Sequence, residues 1–352
     1  MNRRRFLANV ASSAFVLGCP TFPGRAGERF DLAVLKPLWA KRLEKVASGG
    51  QIPIIDIESS CNPNKLDIDE FIKTMDRQGI ALSALSADLP KGDWEKGKRW
   101  SNLSHKLMEK AADRFIPTSN GGVDPAWTKD PDGFLDNTFQ HAQEDGYPLL
   151  GEFEFRHYPS PRQVKRGEFD RDVAIPIDGP QGERLFRFGS ETGLPFQIHY
   201  EVEEALLAPL ETMLSKYPKA KAIWCHLAQI RYGERVRSYN PGYVAGLLER
   251  FPNLYFDLAF GTYDSFYGPS AQRHARIWKD SERLEPAWAD LIVRNPWRFL
   301  SAIDLGGDRI DSFEEWAQKH REFLNALPDA ETRRIVANGS AWNLLFQEKR
   351  VF

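Results

Sequence analysis

The sequence predicts an α/β fold, a (β/α)8 TIM barrel in a single domain with an extra N-terminal helix. Three observations predict it. Apolar runs of strand length alternate with segments of helical periodicity eight times between Ile52 and Phe346. The stretch from Leu194 to Ala228 reads strand, helix, strand with no hairpin turn, and such a βαβ unit demands parallel strands. Both of its strands close on a histidine, His199 and His226, so parallel strands put both imidazoles at one C-terminal edge. That edge is where α/β barrels carry their chemistry, and two imidazoles there point to a metal site.

Taken in order, Leu32 to Val46 is amphipathic and lies outside the repeat. Ile52 to Glu58 is the first strand and Ile68 to Met75 its helix; Ala81 to Ala87 is the second strand, with a helix around Leu103 to Ala112. Arg114 to Thr118 is the third strand, Phe134 to Gln143 its helix, and Pro148 to Phe155 the fourth strand. Leu194 to His199 and Ala222 to His226 are the fifth and sixth, separated by the helix Glu203 to Lys216. The helix Tyr243 to Arg250 leads into the seventh strand, Asn253 to Leu258, and Arg298 to Asp304 is the eighth. Helices at Phe313 to Leu327 and Glu331 to Phe346 close the chain. Two long connections, Arg156 to Gly179 and Gly261 to Arg283, follow strands and therefore overhang the C-terminal face.

Acids also stand at strand ends. Asp304 ends the eighth strand before Leu305-Gly306-Gly307 and would point into the mouth shared by the histidines, or else cap a following helix. Glu152 and Glu154 alternate with Phe153 and Phe155, so both acids share one face. Facing inward, they need metal or cations; facing outward, they leave the phenylalanines inside.

This order of residues resembles the amidohydrolase superfamily, in particular its amidohydrolase-related branch of metal-dependent barrel hydrolases. The C-terminal run Arg334 to Phe346, with Asn338 and Leu345-Phe346, is similar to that branch's closing helix, and Gly151-Glu152 is similar to the strand-four Gly-Glu of related barrel deoxyribonucleases. The chain departs from the family at the first strand. The family has His-x-His after an Asp; here Asp56-Ile57-Glu58-Ser59-Ser60 puts Glu58 and Ser60 in those places. The resemblance implies one or two divalent ions (Zn, Mn, Mg or Fe) held by Glu58, Glu152, Glu154, His199, His226 and Asp304. A site so rich in oxygen tilts from zinc toward manganese, magnesium or iron. A strand-four Glu would replace the carboxylated lysine of some relatives.

The implied reaction is hydrolysis of an ester, lactone, amide or phosphoester by a metal-activated water, with Asp304 as general base and acid. The alternatives are a metal-dependent decarboxylase of an unsaturated or aromatic acid, which needs a carboxylate-binding Arg near the metal, and a ligand-binding barrel that has lost its metal. Arg156, His157, Arg231 and His274 lie in loops after strands and are candidates for substrate contact, each competing with a surface ion-pair role. His105, His141 and His320 fall on helices and read as surface or packing residues.

Composition bounds the partners. The 352 residues carry a formal charge of -2, which does not imply nucleic acid or a membrane surface as partner. A small-molecule substrate and homo-oligomerisation remain. Cys19, Cys61 and Cys225 make neither zinc-finger spacing nor a disulfide framework. Residues 1–27 read as an export signal: Arg3-Arg4-Arg5-Phe6-Leu7 precedes an uncharged run from Val10 to Gly18 and resembles a twin-arginine leader. Val16-Leu17-Gly18-Cys19 also resembles a lipoprotein cleavage box, weakened by Pro20. The expectation is a periplasmic or secreted protein, with Cys19 as a lipid anchor if that box is used.

Overall fold

The computed structural model describes residues 29–87 and 103–352. The leader expected over residues 1–27, Cys19 included, lies outside them. The extra helix is α1 (Leu32–Ser48), started by the Asp31 side chain accepting from the Ala33 amide at 2.8 Å. Its apolar face is buried, and Trp39 donates from Nε1 to Ala112 O at 2.9 Å.

The barrel begins with β1 (Ile54–Cys61), α2 (Ile68–Gln78) and β2 (Ile80–Ala87), with β1 and β2 parallel. Gly79 ends α2 at φ +60°, and a Cβ there would lie 2.3 Å from the Gln51 side chain, so the tight α2–β2 turn requires glycine. After α3 (Leu103–Ala111) the expected third strand is reduced to bridges of Phe115 with Ser83 and of Thr118 with Leu149. Pro117 has no amide to give, and the Thr118 amide donates to Ser104 Oγ at 3.0 Å instead. Short helices α4 (Ala126–Lys129) and α5 (Pro131–His141) precede β3 (Leu150–His157). The first long connection holds α6 (Pro161–Arg166) and β4 (Val173–Ala174), which folds back antiparallel on β3.

α7 (Pro180–Thr192), β5 (Phe196–Tyr200), α8 (Glu204–Lys216), β6 (Ala222–Trp224), α9 (Pro241–Arg250) and β7 (Leu254–Asp257) continue the parallel run. The second long connection carries the hairpin β8 (Phe266–Tyr267) and β9 (Gln272–Arg273). α10 (Pro286–Arg294) leads to β10 (Phe299–Leu300), only two residues of the longer eighth strand expected. α11 (Phe313–Ala326), α12 (Ala330–Arg334) and α13 (Ser340–Phe346) end the chain, the last two joined through a π-turn over Ile335–Gly339.

Backbone hydrogen bonds close the ring where regular strand stops. Ser83 and residues 114–116 exchange bonds at 3.0 Å, and Gly122 N donates to Glu152 O at 2.7 Å. At the seam, Ile57 N donates to Ser301 O at 3.0 Å and Asp304 N to Glu58 O at 3.1 Å. Asp56 reinforces the seam from within, accepting from Ser83 Oγ at 2.7 Å, Ser59 Oγ at 2.8 Å and Ile303 N at 3.0 Å. Gln197 crosses the interior, donating to Ile57 O at 2.6 Å. Phe153 and Phe155 point outward against Trp127, each 5.5 Å away edge-on, which leaves Glu152 and Glu154 on the inner face. Trp39, Trp127, Trp224 and Trp342 are fully buried between barrel and helices. Truncating any of them to alanine costs about 3–5 kcal/mol. No described helix is long and apolar enough to cross a membrane.

Candidate metal centre

Backbone geometry brings the two histidines together. His199 is the fourth residue of β5, and its side chain follows the inward pleat beside Glu154 in the register with β3. β6 stops at Trp224, and His226 adopts φ +64°, a left-handed conformation that costs on the order of 1–3 kcal/mol in a non-glycine residue. Asp257, at the end of β7, holds it there: its Oδ1 accepts from His226 N at 2.7 Å and from Ala259 N at 3.1 Å.

Three ligand atoms converge. Glu152 Oε1 is 2.9 Å from His199 Nδ1 and 3.2 Å from His226 Nε2, and the two ring nitrogens are 3.1 Å apart. The outer nitrogens are both committed. His226 Nδ1 donates to Ala259 O at 2.9 Å, and a carbonyl can only accept. His199 Nε2 meets the Glu201 carboxylate at 3.2 Å and donates to it. Each imidazole, when neutral, therefore turns a bare lone pair toward Glu152 and toward the other ring. Three lone pairs so close require a positive charge among them. In the metal-free protein, protons supply it. Burial opposes charging of His226, but its hydrogen bond to Glu152 and the charges of Asp257, Glu152 and Asp304 push its pKa up to about 10. Burial likewise opposes ionisation of Glu152, and the His199 charge overcomes this and holds the carboxyl well below its usual range.

The donor set fits a divalent cation. Ligand bonds of 2.0–2.1 Å at tetrahedral or octahedral angles separate ligand atoms by about 2.8–3.4 Å, against the 2.9–3.2 Å observed. The Glu201 and Ala259 bonds to the outer nitrogens are the second layer that fixes ring orientation at metal sites. Among the described residues, Glu152, His199 and His226 form the cluster able to hold an ion.

The other expected ligands are placed differently. Glu58 is buried, and its Oε2 has no hydrogen-bond partner. Burial, then the charges of Asp304, Glu152, Asp257 and Asp56, keep its carboxyl well above the usual range. A cavity of about 20 Å³ lies between Glu58, Ser60, Gln197 and Glu152, enough for one water. Glu154 is inward-facing but apart from the cluster, because Arg171 pairs with it and His157 Nε2 lies 3.8 Å away. Asp304, at φ +49°, pairs with Arg309 at 2.8 Å and remains 37% exposed on the cavity wall.

A cavity of about 370 Å³ opens over the cluster. Its walls include His157 and Arg231, and also Arg162, Arg166, Arg171 and Arg309. His157 stays neutral: burial and the His199, Arg171 and Arg231 charges hold its pKa well down, and Nδ1 donates to Arg171 O at 2.8 Å. Arg231 is buried and bonds Glu201 at 2.5 Å and Tyr158 O at 2.6 Å. Arg156 is a correction to the sequence reading. It does not line this cavity, since Glu203 at 2.6 Å and Asp172 at 2.5 Å hold it elsewhere and it stacks on Tyr158. His274 lies in an adjoining cleft. His320 donates or accepts against Ser301 Oγ at 2.8 Å within the core, and His105 and His141 share Asp145.

Sequence reading missed Glu201 and Asp257. Asp257 ends a strand as Asp304 was expected to, so the same rule finds it. Glu201 follows His199 by two residues and carries no signal of its own.

No protein-family profile matches the chain, and no curated relative does. Among solved structures, a 2,6-dihydroxybenzoate decarboxylase complexed with 2,6-dihydroxybenzoate superposes with a TM-score of 0.51 at 14% identity, over 84% of this chain and 99% of that one. A 2,6-dihydroxybenzoate decarboxylase from Rhizobium gives 0.50 at 15% identity, over 84% and 99%. The chain shares the fold of these two decarboxylases, an α/β TIM barrel.

Proposed function

We propose that this protein is a metal-dependent hydrolase acting on a small anionic substrate. The observation that carries the reading is the convergence of Glu152 Oε1, His199 Nδ1 and His226 Nε2 with both outer ring nitrogens committed elsewhere. These three residues would hold the ion. When bound, a divalent cation supplies Lewis-acid charge that polarises a substrate oxygen and acidifies water.

The chain's own residues supply the rest. Asp304 lines the cavity with a carboxylate steered by Arg309, and it takes the proton of the attacking water and returns it to the leaving group. The arginines around the wall orient an anionic group, and Arg171 and Arg231 are held beside the cluster by their bonds to Glu154 and Glu201. The first long connection, through α6, walls the cavity with Ser160, Arg162, Gln163 and Arg166 and limits access of bulk water. The N-terminal Arg3-Arg4-Arg5 run supports export from the cytoplasm.

Those arginines also favour a second reading, decarboxylation of an unsaturated or aromatic acid, because such a reaction needs a cation for the departing carboxylate. A panel of esters, lactones and amides bearing a carboxylate, run beside aromatic carboxylic acids in ¹⁸O-labelled water, separates the two. Hydrolysis puts ¹⁸O into the acid product. Release of carbon dioxide without such incorporation replaces hydrolysis by decarboxylation, and turnover of neither panel removes both.

A further inference from the structure

The cavity over the metal centre does not end at Asp304. A second cleft, of about 260 Å³, shares Ser160, Arg162, Arg231, Asp304 and Arg309 with it. A third, of about 330 Å³, shares Phe260, Gly261, Ile303 and Trp316 with the second. The three adjoin through these shared walls, from the histidines, past the Asp304–Arg309 pair, to α11 at Trp316, Lys319, His320 and Phe323. Their character changes on the way: the inner part is walled by arginines, the outer part by Phe260, Phe266, Trp316 and Trp278.

Two features distinguish the outer part. Trp316 lies between two cations, with the Arg309 guanidinium 5.0 Å and the Lys319 ammonium 4.5 Å from its ring centroid, so its indole is held at the junction. The Phe266 ring, by contrast, is 53% exposed over the cleft, apolar surface left without a cover.

We propose that this aromatic annex seats the aryl tail of an elongated substrate whose anionic head lies among the arginines of the inner cavity, with Phe260, Phe266 and Trp316 as specificity-determining residues. The placement of the head rests on the proposed function; the annex does not. A single-ring acid fills the inner cavity alone, and a two-ring acid of the same charge reaches the annex.

Calorimetric titration of the full chain, supplied with zinc, with benzoate and with 4-phenylbenzoate tests this. The second ring buries apolar area in the annex, and 4-phenylbenzoate binds tighter by about tenfold or more. Trp316→Ala and Phe266→Ala each reduce that preference to about threefold or less while benzoate affinity holds. Phe266 is exposed, so its removal leaves the fold intact. Equal affinity for the two acids, a preference surviving both substitutions, or no binding of either acid overturns the annex. Zinc titration of the same preparations distinguishes the failures: a protein that keeps the two-ring preference but holds no zinc loses the hydrolase reading and retains the annex.

Discussion

His226 Nε2 lies 3.1 Å from His199 Nδ1, and each ring spends its other nitrogen on a fixed acceptor, Ala259 O for His226 and Glu201 for His199. Two imidazoles so arranged, with Glu152 against both, are stable only with positive charge between them. Protons fill that need in the metal-free protein, and a divalent cation fills it better because it satisfies three lone pairs at once.

Glu201 acts through His199. Replacing it with glutamine keeps the shape but removes the charge that fixes the His199 tautomer and that Arg231 needs. Glu201→Gln should weaken metal affinity by about 10–100-fold. Competition against a chromophoric chelator reads this directly, and unchanged affinity would mean that Glu201 only neutralises Arg231.

Asp304 is assigned a proton rather than a coordination bond. Asp304→Asn should lower kcat by about 10²–10⁴-fold and leave metal content as in the unaltered protein. Loss of metal in that variant would move Asp304 into the ligand set.

Asp56 ties three staves at the seam through Ser59, Ser83 and Ile303 N. Burial pushes its carboxyl up to about 7 against the pull of those hydrogen bonds. Asp56→Ala leaves two hydroxyls and an amide without their acceptor and should destabilise the fold by about 2–4 kcal/mol. Denaturant midpoints check it; a change below about 0.5 kcal/mol would show that water replaces the carboxylate.

His320 makes stability fall with acid. Burial, then the Arg321 charge, lowers its pKa to about 3, whereas the unfolded chain titrates near 6.5. Between these values the unfolded state binds a proton that the folded state refuses. Its contribution is therefore fully present above pH 6.5 and is lost as pH falls toward 3. From pH 7.5 to pH 5 the loss is about 2 kcal/mol. In His320→Gln that part of the pH slope should vanish, as urea midpoints at the two pH values will show. An identical slope in both proteins would place the acid sensitivity elsewhere.

Much of the barrel was legible because strand and helix periods differ and because parallel strands align their ends. That alignment predicts His199 beside His226, and alternation in Gly151-Glu152-Phe153-Glu154 gives the inward acids. The third stave was not legible as bridges, since Pro117 interrupts a run that otherwise reads as strand. Arg156 misled because its partners, Asp172 and Glu203, come from segments 16 and 47 residues away that only folding brings together. Glu154 shares its face with Glu152, yet Arg171 arrives from the β3–β4 connection and takes it. Pairing of this kind depends on loop conformation, which has no period to read.

The most direct measurement is metal content per chain by elemental analysis, after loading with zinc or manganese and removal of free ion. At least one ion per chain is expected in the unaltered protein, and less than about a tenth of that in Glu152→Gln, His199→Ala and His226→Ala, each folded by circular dichroism. No stoichiometric ion in the unaltered protein, or full retention in all three variants, would contradict the account.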